Sequence, residues 1–171
     1  MDIALVSPNS IKIKGKVASF LVEPRDMKGK AQADAVITFD SSPIDISSIE
    51  GARVVLSGAG DYEIGGVKLI GLKNNEAALY YINMDNIVIM VGKASSLQNK
   101  EVVRDADVAV VFSDAAVDSS LLATINPRTV IFYGPQAQEN SKLLGKEVTT
   151  ATKYSITKDK LPAELEAILF S

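Results

Sequence analysis

The chain has 171 residues, 18 basic and 21 acidic side chains, a net charge of −3, and neither cysteine nor histidine. With 47% hydrophobic and 23% charged residues it has the composition of a folded globular protein, large enough to bury its own core, and its slight acidity excludes a general attraction to nucleic acid or anionic membranes. The missing residue types exclude thiolate and imidazole metal sites, cysteine nucleophiles and the Ser-His-Asp triad, which leaves all-carboxylate metal sites, Lys- or Asp-based chemistry, or no chemistry.

In chain order the pattern is mostly short strands. Ser10-Ile11-Lys12-Ile13-Lys14 alternates polar and apolar, as a half-buried strand does. Gly15-Lys16 reads as a turn, and Val17 to Val22 as the returning arm of a hairpin. Ala35 to Phe39 and Ala52 to Leu56 are apolar runs that fit buried strands. Tyr62 to Leu69 is a hairpin around Gly65-Gly66. Ala77 to Ile82 and Asn86 to Val91 flank a hairpin loop at Asn83-Met84-Asp85.

The second half changes character. Ala106 to Phe112 is, apart from Asp107, an apolar run, the pattern of a strand covered on both faces. Asp118-Ser119-Ser120 caps a short helix through Thr124, Asn126-Pro127 ends it, and Thr129 to Phe132 is the next strand. Gln136 to Leu144 reads as a helix stopped by Gly145. Two short strands, Glu147 to Thr150 and Lys153 to Thr157, precede Leu161-Pro162 and an apolar tail from Leu165 to Phe170. No linker, repeat or charge block divides the chain, so one domain over residues 1–171 is expected.

The opening Met1-Asp2-Ile3-Ala4-Leu5-Val6 places an acid where a signal peptide wants a base, and Ile87 to Val91 is far shorter than the ~20 residues of a membrane span. A cytoplasmic protein is expected. Gly58-Ala59-Gly60 precedes a strand and lacks a Gly-Lys-Ser ending, so it serves a turn and not a phosphate. Tyr80, Tyr81, Phe132 and Tyr133 have no accompanying basic stripe and read as core or pocket lining.

Several segments, taken in order, resemble the metallo-β-lactamase superfamily, in its short zinc-dependent-hydrolase-like branch near the ascorbate-phosphate lactonases. Ile3 to Ile13 resembles that branch's first strand pair, with Ser7-Pro8 where the branch has Gly-His. Glu23-Pro24 stands where the next strand ends in Asp-Pro. Ser57-Gly58-Ala59-Gly60-Asp61-Tyr62-Glu63-Ile64-Gly65-Gly66-Val67 is similar to the branch's Gly-Pro-Gly-Glu-Tyr-Glu-Ile-x-Gly-Val hairpin, and is the most specific match. Leu161-Pro162-Ala163-Glu164-Leu165 resembles the ending Leu-Pro-x-Glu-Leu. The resemblance implies an α/β (α+β) fold, a four-layer αββα sandwich with mixed sheets in a compact version.

The departures fall on the chemistry. Against the His-x-His-x-Asp-His ligand motif, with a one-residue gap, Phe39, Ser41 and Ile44 take the histidine positions. Val91-Gly92-Lys93 takes the place of Leu-Gly-Asp, so an ammonium replaces a metal-bridging carboxylate. The late histidine falls on Gly134. The branch's covering loop is reduced to Lys73-Asn74-Asn75-Glu76. The resemblance therefore implies a degenerate member with no metal and no cofactor, whose former metal pocket is lined by Pro8, Phe39, Asp40, Ser41, Ile44, Asp61, Lys93 and Gly134. The expected role is a non-catalytic binding or scaffolding module. Its partner is an unnamed protein or small-molecule ligand, with no nucleic acid and no membrane, and homo-oligomerisation is left open.

The competing reading is a His-free hydrolase using Lys93 as base or nucleophile with Ser41 or Asp40. Ser42 shares the serine position, although turn serines capping a short helix from Asp45 are the plainer reading. Asp40, Asp45 and Asp61 would be the donors of an all-oxygen cation site, against which Lys93 argues. Under the scaffold reading Lys93 pairs with Asp40 or Asp45, in a largely dry site where its loss costs about 3–5 kcal/mol.

Overall fold

In the computed structural model the described residues are all except 75–76 and 98–101. Among them the strands form a six-stranded sheet, an eight-stranded sheet and a two-stranded ribbon. The smaller sheet is built from β1 (Asp2–Ser7), β2 (Ser10–Lys14), β3 (Ser19–Val22), β5 (Ala35–Ile37), β7 (Val55–Leu56) and β15 (Lys153–Ser155), in the order β15-β1-β2-β3-β5-β7. The ribbon pairs β4 (Ala31–Gln32) with β6 (Ile49–Glu50).

The larger sheet begins as an antiparallel meander: β8 (Gly60–Ile64), β9 (Val67–Asn74), β10 (Ala77–Met84) and β11 (Ile87–Lys93). It continues with parallel neighbours β12 (Val108–Phe112), β13 (Thr129–Tyr133), β16 (Glu166–Phe170) and β14 (Val148–Ala151). The β10–β11 turn is Asp85-Asn86, both with positive φ (53° and 66°), the geometry of a two-residue type I′ turn. Met84, expected in the loop, therefore stays in the strand.

Strand alternation sends side chains to two cores. Tyr80, Ile82, Ile89, Val91, Val110, Ile131 and Tyr133 face the smaller sheet's Ile3, Ile11, Ile13, Phe20 and Val22. Their neighbours Leu79, Tyr81, Met90, Val111, Val130 and Phe132 pack outward against α1 (Ser119–Ile125) and α2 (Ala137–Lys142). Burial on both faces is why Val108 to Phe112, after the polar Asp107, reads as unbroken apolar sequence. Asp118 caps α1 as expected, its side chain accepting the Ser120 N–H.

The layers are those of an αββα sandwich, with one outer layer reduced. The outward face of the smaller sheet, Leu21 and Val36, is covered by Ala33, Ile44, Ile46 and Ile49 from loops and the ribbon, where the described residues form no α-helix. Two local expectations are corrected. Only Val55–Leu56 of the expected strand from Ala52 pairs, because β7 is an edge with one neighbour. No helix starts at Asp45; its carboxylate instead closes a turn by accepting the Ser47 N–H at 2.9 Å. The apolar tail is a central strand, β16, inserted between β13 and β14. The shortened Lys73-to-Glu76 connection lies partly outside the described residues.

Candidate functional site

The parallel strands β11, β12, β13, β16 and β14 end at one edge of the larger sheet, the edge where open α/β sheets commonly bind ligands. Register places Lys93 beside Phe112, and Phe112 beside Tyr133, as the last paired residues of β11, β12 and β13. Residues in register share a face, so these three side chains form a row facing the smaller sheet. Phe39, two residues beyond β5, meets that row from the opposite side. Its ring stacks on Phe112 with centroids 6.3 Å apart, and Phe112 contacts Tyr133 at 5.3 Å. The Lys93 ammonium lies 5.9 Å from the centroid of the Phe39 ring, within reach of a cation–π attraction.

The ionic partners come from the turn after β3. Glu23, in the left-handed region at φ 48°, ends that strand. One carboxylate oxygen accepts the Phe39 N–H at 2.6 Å, and the other accepts Arg25 Nε at 2.9 Å. Arg25 then donates to Asp40 Oδ1 at 3.0 Å and to the carbonyls of Ser42 and Pro43. Asp40 Oδ2 lies 3.8 Å from Lys93 Nζ. The result is an alternating line of charge, Glu23–Arg25–Asp40–Lys93, wrapped on an aromatic row. Arg25 is the residue that sequence reasoning missed. Its proximity to Glu23 is local, but its grip on residues 40–43 spans 15–18 positions, and no spacing rule reports that.

Ser42 donates to the Asp40 carboxylate from its side chain and backbone, with Arg25 and Lys93 adding positive charge, and together they hold its pKa below the ordinary value despite partial burial. A carboxylate with a depressed folded-state pKa contributes stability that is complete above the unfolded value, about pH 4, and is lost as pH falls through the lower folded value. Asp40→Asn should therefore be less stable than the parent by a constant amount between pH 6 and 8, and the gap should close as pH falls below about 4. A gap that changes between pH 6 and 8, or that persists undiminished in acid, would contradict this assignment.

The eight residues expected around one pocket are divided. Phe39, Asp40 and Lys93 come together as described. Ser41 is exposed and shares with Phe39 and Asp40 a small hollow of about 200 Å³, lined also by Ser57, Gly58 and Lys73. Pro8 and Gly134 line a separate, larger cleft. Ile44 packs on the outer face of the smaller sheet. Asp61 lies on β8, three strands from β11 in the sheet order, which is about 14 Å at the usual strand spacing. The sequence placed the Asp61 loop beside Lys93; the long antiparallel meander carries it away. Asp40, Asp45 and Asp61 thus cannot share a cation.

The Lys93 environment is also wetter than expected, with the Lys93 side chain 24% and the Asp40 side chain 38% exposed. An ion pair this exposed contributes little, so Lys93→Met is expected to cost only about 0.5 kcal/mol in a denaturant titration. A loss of several kcal/mol would mean that the pair is desolvated in solution.

A metal implied by the family resemblance does not fit these residues. At the position that the resemblance equates with the bridging carboxylate Lys93 brings positive charge, and at one it equates with a histidine Phe39 brings hydrocarbon. Gly134 has φ 96°, and a Cβ there would lie 2.7 Å from the Phe112 ring, so the aromatic row occupies the space a late histidine needs. Glu23 and Asp40 are engaged by Arg25. Among the described residues no three carboxylates converge as a metal site requires. Nor does any serine hydroxyl there bond to Lys93 Nζ; Ser96 Oγ donates to the Lys93 backbone carbonyl instead.

No protein-family model matches the chain, and no curated protein matches it significantly. Solved structures do. A protein from Thermotoga maritima, assigned to the zinc-dependent hydrolases of the metallo-β-lactamase superfamily, superposes with a TM-score of 0.77 at 13% identity, over 99% of this chain and 98% of that one. CmlA, a diiron β-hydroxylase from Streptomyces venezuelae, superposes with a TM-score of 0.56 at 9% identity, over 97% of this chain but only 52% of its own length. Its E377D mutant gives a TM-score of 0.58 at 9% identity, over 96% of this chain and 52% of its own length. At these identities the likeness is one of fold, and the fold of this chain is that of the metallo-β-lactamase superfamily.

Proposed function

We propose that the chain is a metal-free, non-catalytic member of this fold, working as a binding or scaffolding module. The observation that carries the reading is the Lys93–Phe112–Tyr133 row, closed by Phe39 and held by the Glu23–Arg25–Asp40 ion pairs. A hydrolase of this fold needs an activated water, and a metal supplies it by lowering the water's pKa. Here the equivalent space holds an ammonium and three rings. Asp40, kept ionised by its partners, is a weak base.

The acidic net charge supports partners other than nucleic acid or anionic membrane surfaces. Among the described residues no helix is long and apolar enough to cross a membrane. The test is elemental analysis of purified protein together with assays on a phosphodiester, a lactone and a β-lactam. The expected result is no stoichiometric zinc, iron or manganese and no turnover above background. Turnover that persists in chelator and disappears in Lys93→Ala would replace this reading with the alternative, a His-free hydrolase using Lys93 with Ser41 or Asp40.

A further inference from the structure

Apart from the aromatic row, a cleft of about 890 Å³ opens in the protein. It lies where the end of β1 meets the C-terminal ends of β13, β14 and β16, the ligand-binding edge of a parallel sheet. Its volume is within the range of small-molecule sites. Its apolar walls are Leu5 and Pro8 from the smaller sheet's side, Pro135 and Ala137 from the start of α2, and Leu169 and Phe170 from β16, with polar residues between them.

Two of the polar lining residues bear on what the cleft could hold. Ser7 Oγ is buried with no hydrogen-bond partner, a state that buried hydroxyls rarely keep without a ligand or water. Glu139, on the exposed side of α2, is the one ionisable side chain among the lining residues, and among the described residues it has no ion-pair partner. A cleft of mixed lining whose single ionisable side chain is an unpaired carboxylate selects against anions and favours a cation, with its hydrocarbon body along the apolar walls.

From this charge complementarity we infer that the cleft binds a small apolar amine, its ammonium held by Glu139 and its hydrocarbon along Leu5, Pro8, Leu169 and Phe170. The inference deepens the reading of the chain as a binding module and names its ligand class. It is independent of whether the aromatic row is inert.

The experiment is calorimetric or NMR titration of the intact chain with octylamine, octanol and octanoate. Octylamine should bind about fivefold or more tighter than octanol, with octanoate weakest, and added salt should narrow the gap. Glu139→Gln should bring octylamine and octanol to similar affinity. Thr150→Trp or Gln138→Trp, both exposed residues at the cleft, should weaken all three by filling it. Octanoate binding as well as octylamine, or no binding by any probe, overturns the inference; so does octylamine binding that Glu139→Gln leaves unchanged. Bound metal or hydrolytic turnover, by contrast, bears on the proposed function alone.

Discussion

Glu23→Ala is expected to destabilise the fold by about 3 kcal/mol, the largest single effect at the candidate site, because it uncouples a nearly buried charge and a buried N–H at once. The Glu23 side chain is 11% exposed. Its loss leaves the Phe39 N–H without its acceptor and Arg25 without its nearer carboxylate. Arg25 keeps Asp40 and two carbonyls and is itself partly exposed, which holds the figure at the lower end for a broken buried pair. Alanine also inherits the left-handed backbone at φ 48°, so no strain is relieved. Glu23→Gln separates the two contributions: its carbonyl oxygen can still accept the Phe39 N–H, and the expected loss is about 1 kcal/mol. Denaturant midpoints of the two variants check this. Equal losses would show that the charge, and not the hydrogen bond to Phe39, matters.

Tyr133→Phe is expected to stabilise the protein by about 1–2 kcal/mol. The side chain is fully buried and its hydroxyl has no hydrogen-bond partner. Burial, with Glu23 and Asp114 nearby, raises its pKa well above the ordinary phenol value, so it stays protonated. A hydroxyl desolvated without a partner is a cost, and phenylalanine removes it while keeping the contact with Phe112. Thermal or denaturant unfolding reads the sign directly. A destabilised Tyr133→Phe would reveal an internal water bound to this hydroxyl, and hence a polar chamber behind the aromatic row. By contrast, Tyr80 has a satisfied buried hydroxyl, within 3.0 Å of both the Thr38 and Leu56 carbonyls. A phenylalanine there should weaken the tie between the sheets.

Local chemistry was legible wherever the physical cause is local. The strand at Ser10–Lys14, the Asp118 cap and the Gly65-Gly66 turn follow from alternation, a side-chain acceptor and tolerance of positive φ. The two-faced burial of Val108–Phe112 was visible because no polar residue interrupts it. At the site, Lys93 and Phe39 stood out only through the family resemblance, as residue types that a metal position does not tolerate. The pairing of Lys93 with Asp40 was one of two alternatives that the chain left open.

What the sequence determined by itself is the chemistry this protein lacks: a chain without histidine or cysteine has no imidazole or thiolate to offer, whatever its shape. What only the tertiary structure decided is which charges meet. Asp45 turns back on Ser47, Asp61 is carried to the far edge by three antiparallel strands, and Arg25 reaches across to residues 40–43. The physical reason is that hydrophobic alternation sets which face a residue occupies, whereas strand order and loop path set its neighbours. Those are properties of long-range pairing, so the cleft beside Gly134, built from β1, β13, β14, β16 and α2, has no signature in any one stretch of the chain.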